Sequence, residues 1–330
     1  MTDLSKASLG LAASNRNIVW LCAGWALCSL LVFAAFAILP STARTGGLLA
    51  IADLLKIGAF ILATCLCWRN AKEGAIISGQ VVWQAIAVGL GFYALGDIVT
   101  LLWQLLWGST ATVSLAHVLH GISYFFLAIG LFNAVLPRQT SLSVLQTIGV
   151  ATVGILGIVL ASWVSFYTPT VTPTVTPTVE TNSQGDGVVG AVETVDIAVE
   201  RTADGAAGVS RSQVPPLVQN IDTRLRPLAD KMGLLYIAGD CILIVIAAAL
   251  LVAFWGGAYS EAWKLIALAG LCLYVADMLM IYHWGQGRNH PGAFWEIFWI
   301  FSALFFALGA SVEHGISAQM KQKRSRQQWI

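Results

Sequence analysis

Four aspartates stand inside apolar stretches of this chain: Asp53, Asp97, Asp240 and Asp277. Lys56, His117, His120 and Glu296 accompany them. Carboxylates held away from water share protons, bind cations or polarise a bound molecule. Lys56 follows Asp53 by three residues, the spacing at which two side chains on a helix meet and pair. His117 and His120 are also three apart and share a helix face, so they are the candidate metal ligands; imidazole with carboxylate suits zinc and other divalent ions.

The spacings put the acids at one level. Asp53 precedes Trp68, and Asp240 precedes Trp255, by fifteen residues; Asp97 follows Trp83, and Asp277 follows Trp263, by fourteen. Tryptophans favour the membrane interface. At 1.5 Å per residue the four carboxyls lie about 21–22 Å from one interface, in the far third of a hydrocarbon layer ~30 Å thick. His117 and His120 fall ~6–10 Å below the outer surface by the same rise, with Glu296 at a similar depth. An acid at mid-span costs ~2.5–3.5 kcal/mol, so four facing lipid would cost up to ~10–14 kcal/mol. That rivals the stability of a whole domain. The acids must therefore face inward. They either tie the bundle together or line a polar cavity that opens outward and takes a ligand. Tyr93, Tyr236 and Tyr274 are expected to donate to them, and Tyr124 to pack.

The elements that position these groups follow from composition. The chain has 330 residues, of which 57% are hydrophobic and 11% charged. Soluble domains carry about 25% charged residues, so a soluble enzyme is excluded. A net charge of +1 gives no basic field for nucleic acid. Eight apolar segments are long enough to span a membrane as helices: 18–39, 47–68, 81–103, 113–136, 145–167, 232–255, 263–284 and 292–312. The first is too long for the hydrophobic core of a signal peptide and is read as a span. The fold class is all-α, a polytopic membrane protein embedded in membrane lipids. Lys and Arg in the short connections place ten residues on one side (Lys6, Arg16, Arg69, Lys72, Arg138, Lys264, Lys321, Lys323, Arg324, Arg326) and two, Arg44 and Arg288, on the other. Both termini are then cytoplasmic in a bacterial inner membrane, and the acidic layer lies in the outer leaflet. All six cysteines lie within spans, so no disulfide framework is indicated.

Residues 168–230 form the one long connection, on the outer side by this topology. It opens with three Thr-Pro-Thr-Val repeats and carries eight acids against four arginines, with no aromatic residue. Such a stretch reads as an extended, mostly disordered spacer.

The chain also resembles itself. Besides the paired Asp–Trp spacings, Leu-Ala-Ile-Ala-Asp53 matches Tyr-Ile-Ala-Gly-Asp240, and Tyr-Ala-Leu-Gly-Asp97 matches Leu-Tyr-Val-Ala-Asp277. Gly130 follows Asp97 by thirty-three residues, and Gly309 follows Asp277 by thirty-two. Two parallel four-helix repeats are expected, 1–140 and 141–330. An even number of spans per half relates them by an axis along the membrane normal.

The stretch from Gly96-Asp97 to Trp103, then Ser114 to Tyr124, and later Tyr274-Val-Ala-Asp277 and Phe294-Trp-Glu-Ile-Phe-Trp299, resembles the multi-span sensory regions that precede GGDEF/EAL or histidine kinase domains. That resemblance implies a membrane sensor. After the basic stretch from Lys321 to Arg326 the chain shows no output domain, so the signal is expected to pass to a separate cytoplasmic signalling protein. A second resemblance is to the YhhN-like lysoplasmalogenases, through Leu95-Gly96-Asp97 and Ala116-His117. His120 replaces the tyrosine of that pattern, and Ala276 replaces the serine before Asp277. It implies an intramembrane hydrolase with Asp97 and Asp277 as catalytic acids. The leading expectation is a non-enzymatic, sensor-like or ligand-binding protein that uses Asp53, Lys56, Asp97, His117, His120, Asp240, Asp277 and Glu296. The hydrolase and a small-solute transporter are the alternatives.

Overall fold

A computed structural model describes residues 2–40, 46–74, 76–107, 115–136, 143–167, 215–225, 227, 229–253, 260–286 and 292–327. Among them are nine α-helices and no strand: α1 (Thr2–Ile38), α2 (Gly46–Lys72), α3 (Gln80–Trp107), α4 (Leu115–Val135), α5 (Val144–Tyr167), α6 (Pro216–Leu225), α7 (Ala229–Ala253), α8 (Ser260–Gly285) and α9 (Ile297–Gln327). All but α6 are long and apolar enough to cross a membrane. The chain is thus an all-α polytopic membrane protein with the eight spans expected.

The helix ends differ from the apolar limits in an instructive way. α9 continues to Gln327, beyond the apolar limit at 312, and α1 begins at Thr2, ahead of residue 18. Ala, Gln, Lys and Arg end a hydrophobic stretch, yet they are good helix formers. The basic stretch is therefore the last turns of α9 and not a loose tail. The long connection also departs from expectation at its end. Pro216 opens α6, a position where its missing N–H costs nothing. α6 buries Val218 and touches α4, so residues 216–225 are ordered helix. The Thr-Pro repeats and the rest of 168–214 lie outside the described residues.

Six helices close a ring. α2, α3 and α4 pack in succession, as do α7, α8 and α9; the ring closes where α2 meets α9 and where α4 meets α7. α1 lies outside against α9 and α2, and α5 lies outside against α7 and α8. Burial follows this plan: the apolar windows of α3 and α8 are each 56% buried, those of α1 and α5 only 22% and 17%. Trp20, Leu145 and Ile155 stand exposed on the outer pair, as lipid-facing residues do in a span.

Specific contacts fix the ring. Trp83 and Trp263, both fully buried, meet with ring centroids 6.0 Å apart. Where α4 crosses α3, a Cβ on Gly130 would lie 2.7 Å from Ile86; where α9 crosses α8, a Cβ on Gly309 would lie 2.7 Å from Ile266. Only a residue without a side chain lets these backbones approach so closely. Asn70 Nδ2 donates to the Ala310 carbonyl at 2.8 Å and sets the register of α2 against α9. The Tyr274 hydroxyl donates to the Gly157 carbonyl at 2.8 Å and fastens α5 to α8.

Candidate functional site

The helical period comes first in placing the site. On α4, His117, His120 and Tyr124 follow at i, i+3 and i+7 and share the inward stripe. Asp53 and Lys56 share a face of α2, and Tyr93 and Asp97 share one of α3. From α7, α8 and α9 come Asp240, Asp277 and Trp299. The ring turns these stripes towards one another.

On the first side, Lys56 Nζ lies 3.1 Å from Asp97 Oδ1 and 3.7 Å from Asp53 Oδ1. His120 Nε2 stands 3.4 Å from the same Asp97 oxygen, within ion-pair reach. The imidazole lies over Tyr93, centroids 4.5 Å apart, and Tyr93 stacks on Phe60 at 4.2 Å. Gly96 makes room for it: a Cβ there would sit 2.5 Å from His120 Nε2.

On the second side the acids are held by neutral donors. The Tyr124 hydroxyl contacts Asp240 Oδ1 at 2.9 Å and also Asp277 Oδ2. Trp299 Nε1 donates to Asp277 Oδ1 at 2.9 Å. A hydroxyl brings one proton to two carboxyl groups, so both contacts are satisfied when the pair itself keeps one more.

The two sides touch. Lys56 Nζ lies 4.8 Å above the ring of Trp299, whose N–H holds Asp277. A continuous polar run therefore crosses the ring: Asp53, Lys56, Asp97, then Trp299, Asp277, Tyr124 and Asp240. Asp97, Asp240 and Asp277 are at most 4% exposed. The side chains of Asp53, Lys56 and His120, at 19%, 12% and 17%, form its more open edge. One oxygen each of Asp97 and Asp240 is buried with no hydrogen-bond partner. Such atoms in a native interior call for a reason.

The four acids placed by spacing do come together, along with Lys56 and His120. The donor differs from expectation. Tyr124 is the tyrosine on the acids, because it lies four residues past His120 on the same stripe. The expected donors bond elsewhere or pack: the Tyr236 hydroxyl donates to the His117 carbonyl at 2.9 Å, Tyr274 to Gly157, and Tyr93 stacks. Trp299 is a donor that no spacing singles out, because its neighbours read as a generic aromatic run. Glu296 is an electrostatic neighbour of Lys56 and Asp53 and also serves the backbone. Its Oε1 accepts from the N–H groups of Gly292 and Ala293, at 2.9 and 3.1 Å, and caps the short 3-10 turn that starts α9. His117 packs edge-on to Tyr236. Among the described residues no group of three His, Cys, Asp or Glu side chains that could hold a metal ion is found.

Comparison with protein-family models, curated proteins and solved structures finds no match. The class of protein the fold and site define is an integral membrane bundle of eight spans with an internal polar layer.

Proposed function

We propose that this chain is a membrane-embedded, sensor-like protein that binds a small ligand at its acidic layer and signals through a separate partner. The observation that carries the reading is the polar run itself. All six ring helices contribute to it, and it leaves Asp97 and Asp240 each with an unused acceptor oxygen. A ligand offering donors or positive charge meets those oxygens. The route of the signal is α9. Trp299 touches both sides of the layer near its start, and the helix runs on to Gln327, about 42 Å away along the axis. With both termini cytoplasmic, the ligand is read near the outer face and the basic end of α9 meets the partner. The two halves, 1–140 and 141–330, are proposed as duplicated repeats; the matched closures of α2 on α9 and α4 on α7 support this.

The test is a melting assay of the purified protein against a panel of small amines and cationic metabolites. Stabilisation of the wild type that disappears in both Asp97→Asn and Asp240→Asn is expected. A panel without effect on a well-folded wild type overturns the reading.

One observation favours a second reading, hydrolysis of an ether or ester lipid. Asp97 and Asp277 both have His120 as an electrostatic neighbour, which gives two acids and an imidazole in one place. Lipid left intact by the wild type ends it; cleavage lost in Asp97→Asn would replace the sensor reading.

A further inference from the structure

The opposite end of the ring holds a second set of buried polar groups. The Asn70–Ala310 bond packs this end of α2 against α9, where Arg69 precedes Asn70 and His314 lies one turn past Ala310. The two are electrostatic neighbours. Arg69 Nε and Nη2, His314 Nδ1 and Ser317 Oγ are all buried without a hydrogen-bond partner. Arg69 forms no ion pair among the described residues, although it is the basic group set deepest here. Its neighbours are already engaged. Lys72 lies 5.7 Å above the ring of Trp68, and Lys321 lies 3.7 Å from Glu73. The buried carboxyl of Glu313 accepts from Ser78 and from Trp83 Nε1, the latter at 3.3 Å.

A guanidinium keeps its charge in any surroundings, and its fork of N–H groups matches two oxygens of one oxyanion. No carboxylate among the described residues lies within ion-pair reach of Arg69, although Glu73 is an electrostatic neighbour of His314. Trp68, adjacent in sequence, marks the interface, so headgroup phosphates lie at this level. Basic pockets between spans on the cytoplasmic side are suited to anionic headgroups. We propose that Arg69, with His314 and Ser317, forms a phosphate-binding site in the seam between α2 and α9. The site lies about 22 Å along α9 from Trp299 and is independent of the acidic layer. Its occupant is a phosphate group, from a lipid phosphodiester or as the free ion.

The full chain decides this in nanodiscs of phosphatidylcholine with and without phosphatidylglycerol, and in detergent with inorganic phosphate. Bound lipid is counted by native mass spectrometry. The wild type should retain phosphatidylglycerol over phosphatidylcholine, and Arg69→Gln should lose that preference about fivefold, the worth of one basic side chain at an anionic surface. Arg69→Lys should recover part of it, and Lys72→Gln should lose less than Arg69→Gln. Stabilisation by inorganic phosphate that Arg69→Gln abolishes would support the site and assign the free ion as its source. Equal binding of lipid and of phosphate by wild type and Arg69→Gln overturns the proposal; so does an equal loss in Lys72→Gln, which would mean unspecific charge attraction. If Arg69→Gln does not fold, His314→Gln read in the same assay decides.

Discussion

The two sides of the acidic layer stand on positions that the sequence pairs, yet they hold their carboxylates by different means. Asp53 and Asp97 are bridged by a cation, Lys56, with His120 close by. Asp240 and Asp277 are bridged by a hydroxyl, Tyr124, with the Trp299 indole as second donor. The substitutions behind this are few. Three residues after Asp53 comes Lys56; three after Asp240 comes Leu243, which is buried. Ten residues before Gly130 stands His120; ten before Gly309 stands Trp299. Buried acids can thus be kept by a counter-ion or by neutral donors. A ligand bearing positive charge would compete with Lys56 on the first side and meet a pair held by neutral donors on the second.

The largest effect is expected from copying the second side onto the first. Lys56→Leu leaves Asp53 and Asp97 without their cation and should cost about 3–5 kcal/mol, the range for breaking a buried ion pair. Thermal unfolding in detergent measures it. Adding Asp97→Asn should recover much of the loss, because the uncompensated charge is then gone. A Lys56→Leu variant as stable as wild type would show that the first side does not depend on its cation.

Next comes Tyr124→Phe, which keeps the ring and removes the hydroxyl. The loss should be about 1.5–3 kcal/mol, as for hydrogen bonds to charged groups. In a double-mutant cycle it should couple to Asp240→Asn and not to Asp53→Asn. Coupling to Asp53 would merge the two sides into one unit.

The crossings beneath the layer should behave alike. Gly130→Ala and Gly309→Ala each force a methyl into a 2.7 Å approach and should each cost about 1–3 kcal/mol. Similar melting shifts sharpen the proposed pairing of the halves; a large loss in one alone breaks it.

The smallest effect is expected at Glu296. Glu296→Gln keeps an acceptor for the Gly292 and Ala293 N–H groups, so its cost should stay below about 1 kcal/mol with ligand binding unchanged. A lost ligand response in this variant would show that Glu296 binds through its charge beside Lys56.

The spans were legible because burial in lipid demands long apolar runs, and the acids stood out because such runs tolerate few charges. Spacing along single helices also paired them across the chain. What the pattern left open was which side chains reach across between helices. Tyr124 and Trp299 look like ordinary apolar stripe members, and their polar ends count only once a partner helix brings an acceptor. The same holds at the far end: Arg69 reads as an interfacial basic residue, and only the register of α2 on α9 buries its fork beside His314.

Sequence alone therefore determined the class of protein, its eight apolar helices and the helices that carry its acids. These follow from hydropathy, which is a local property of the chain. Tertiary structure decided the partners. Whether a carboxylate meets an ammonium, a hydroxyl or a backbone N–H depends on the rotation of each helix about its axis, and contacts between residues far apart in the sequence fix that rotation.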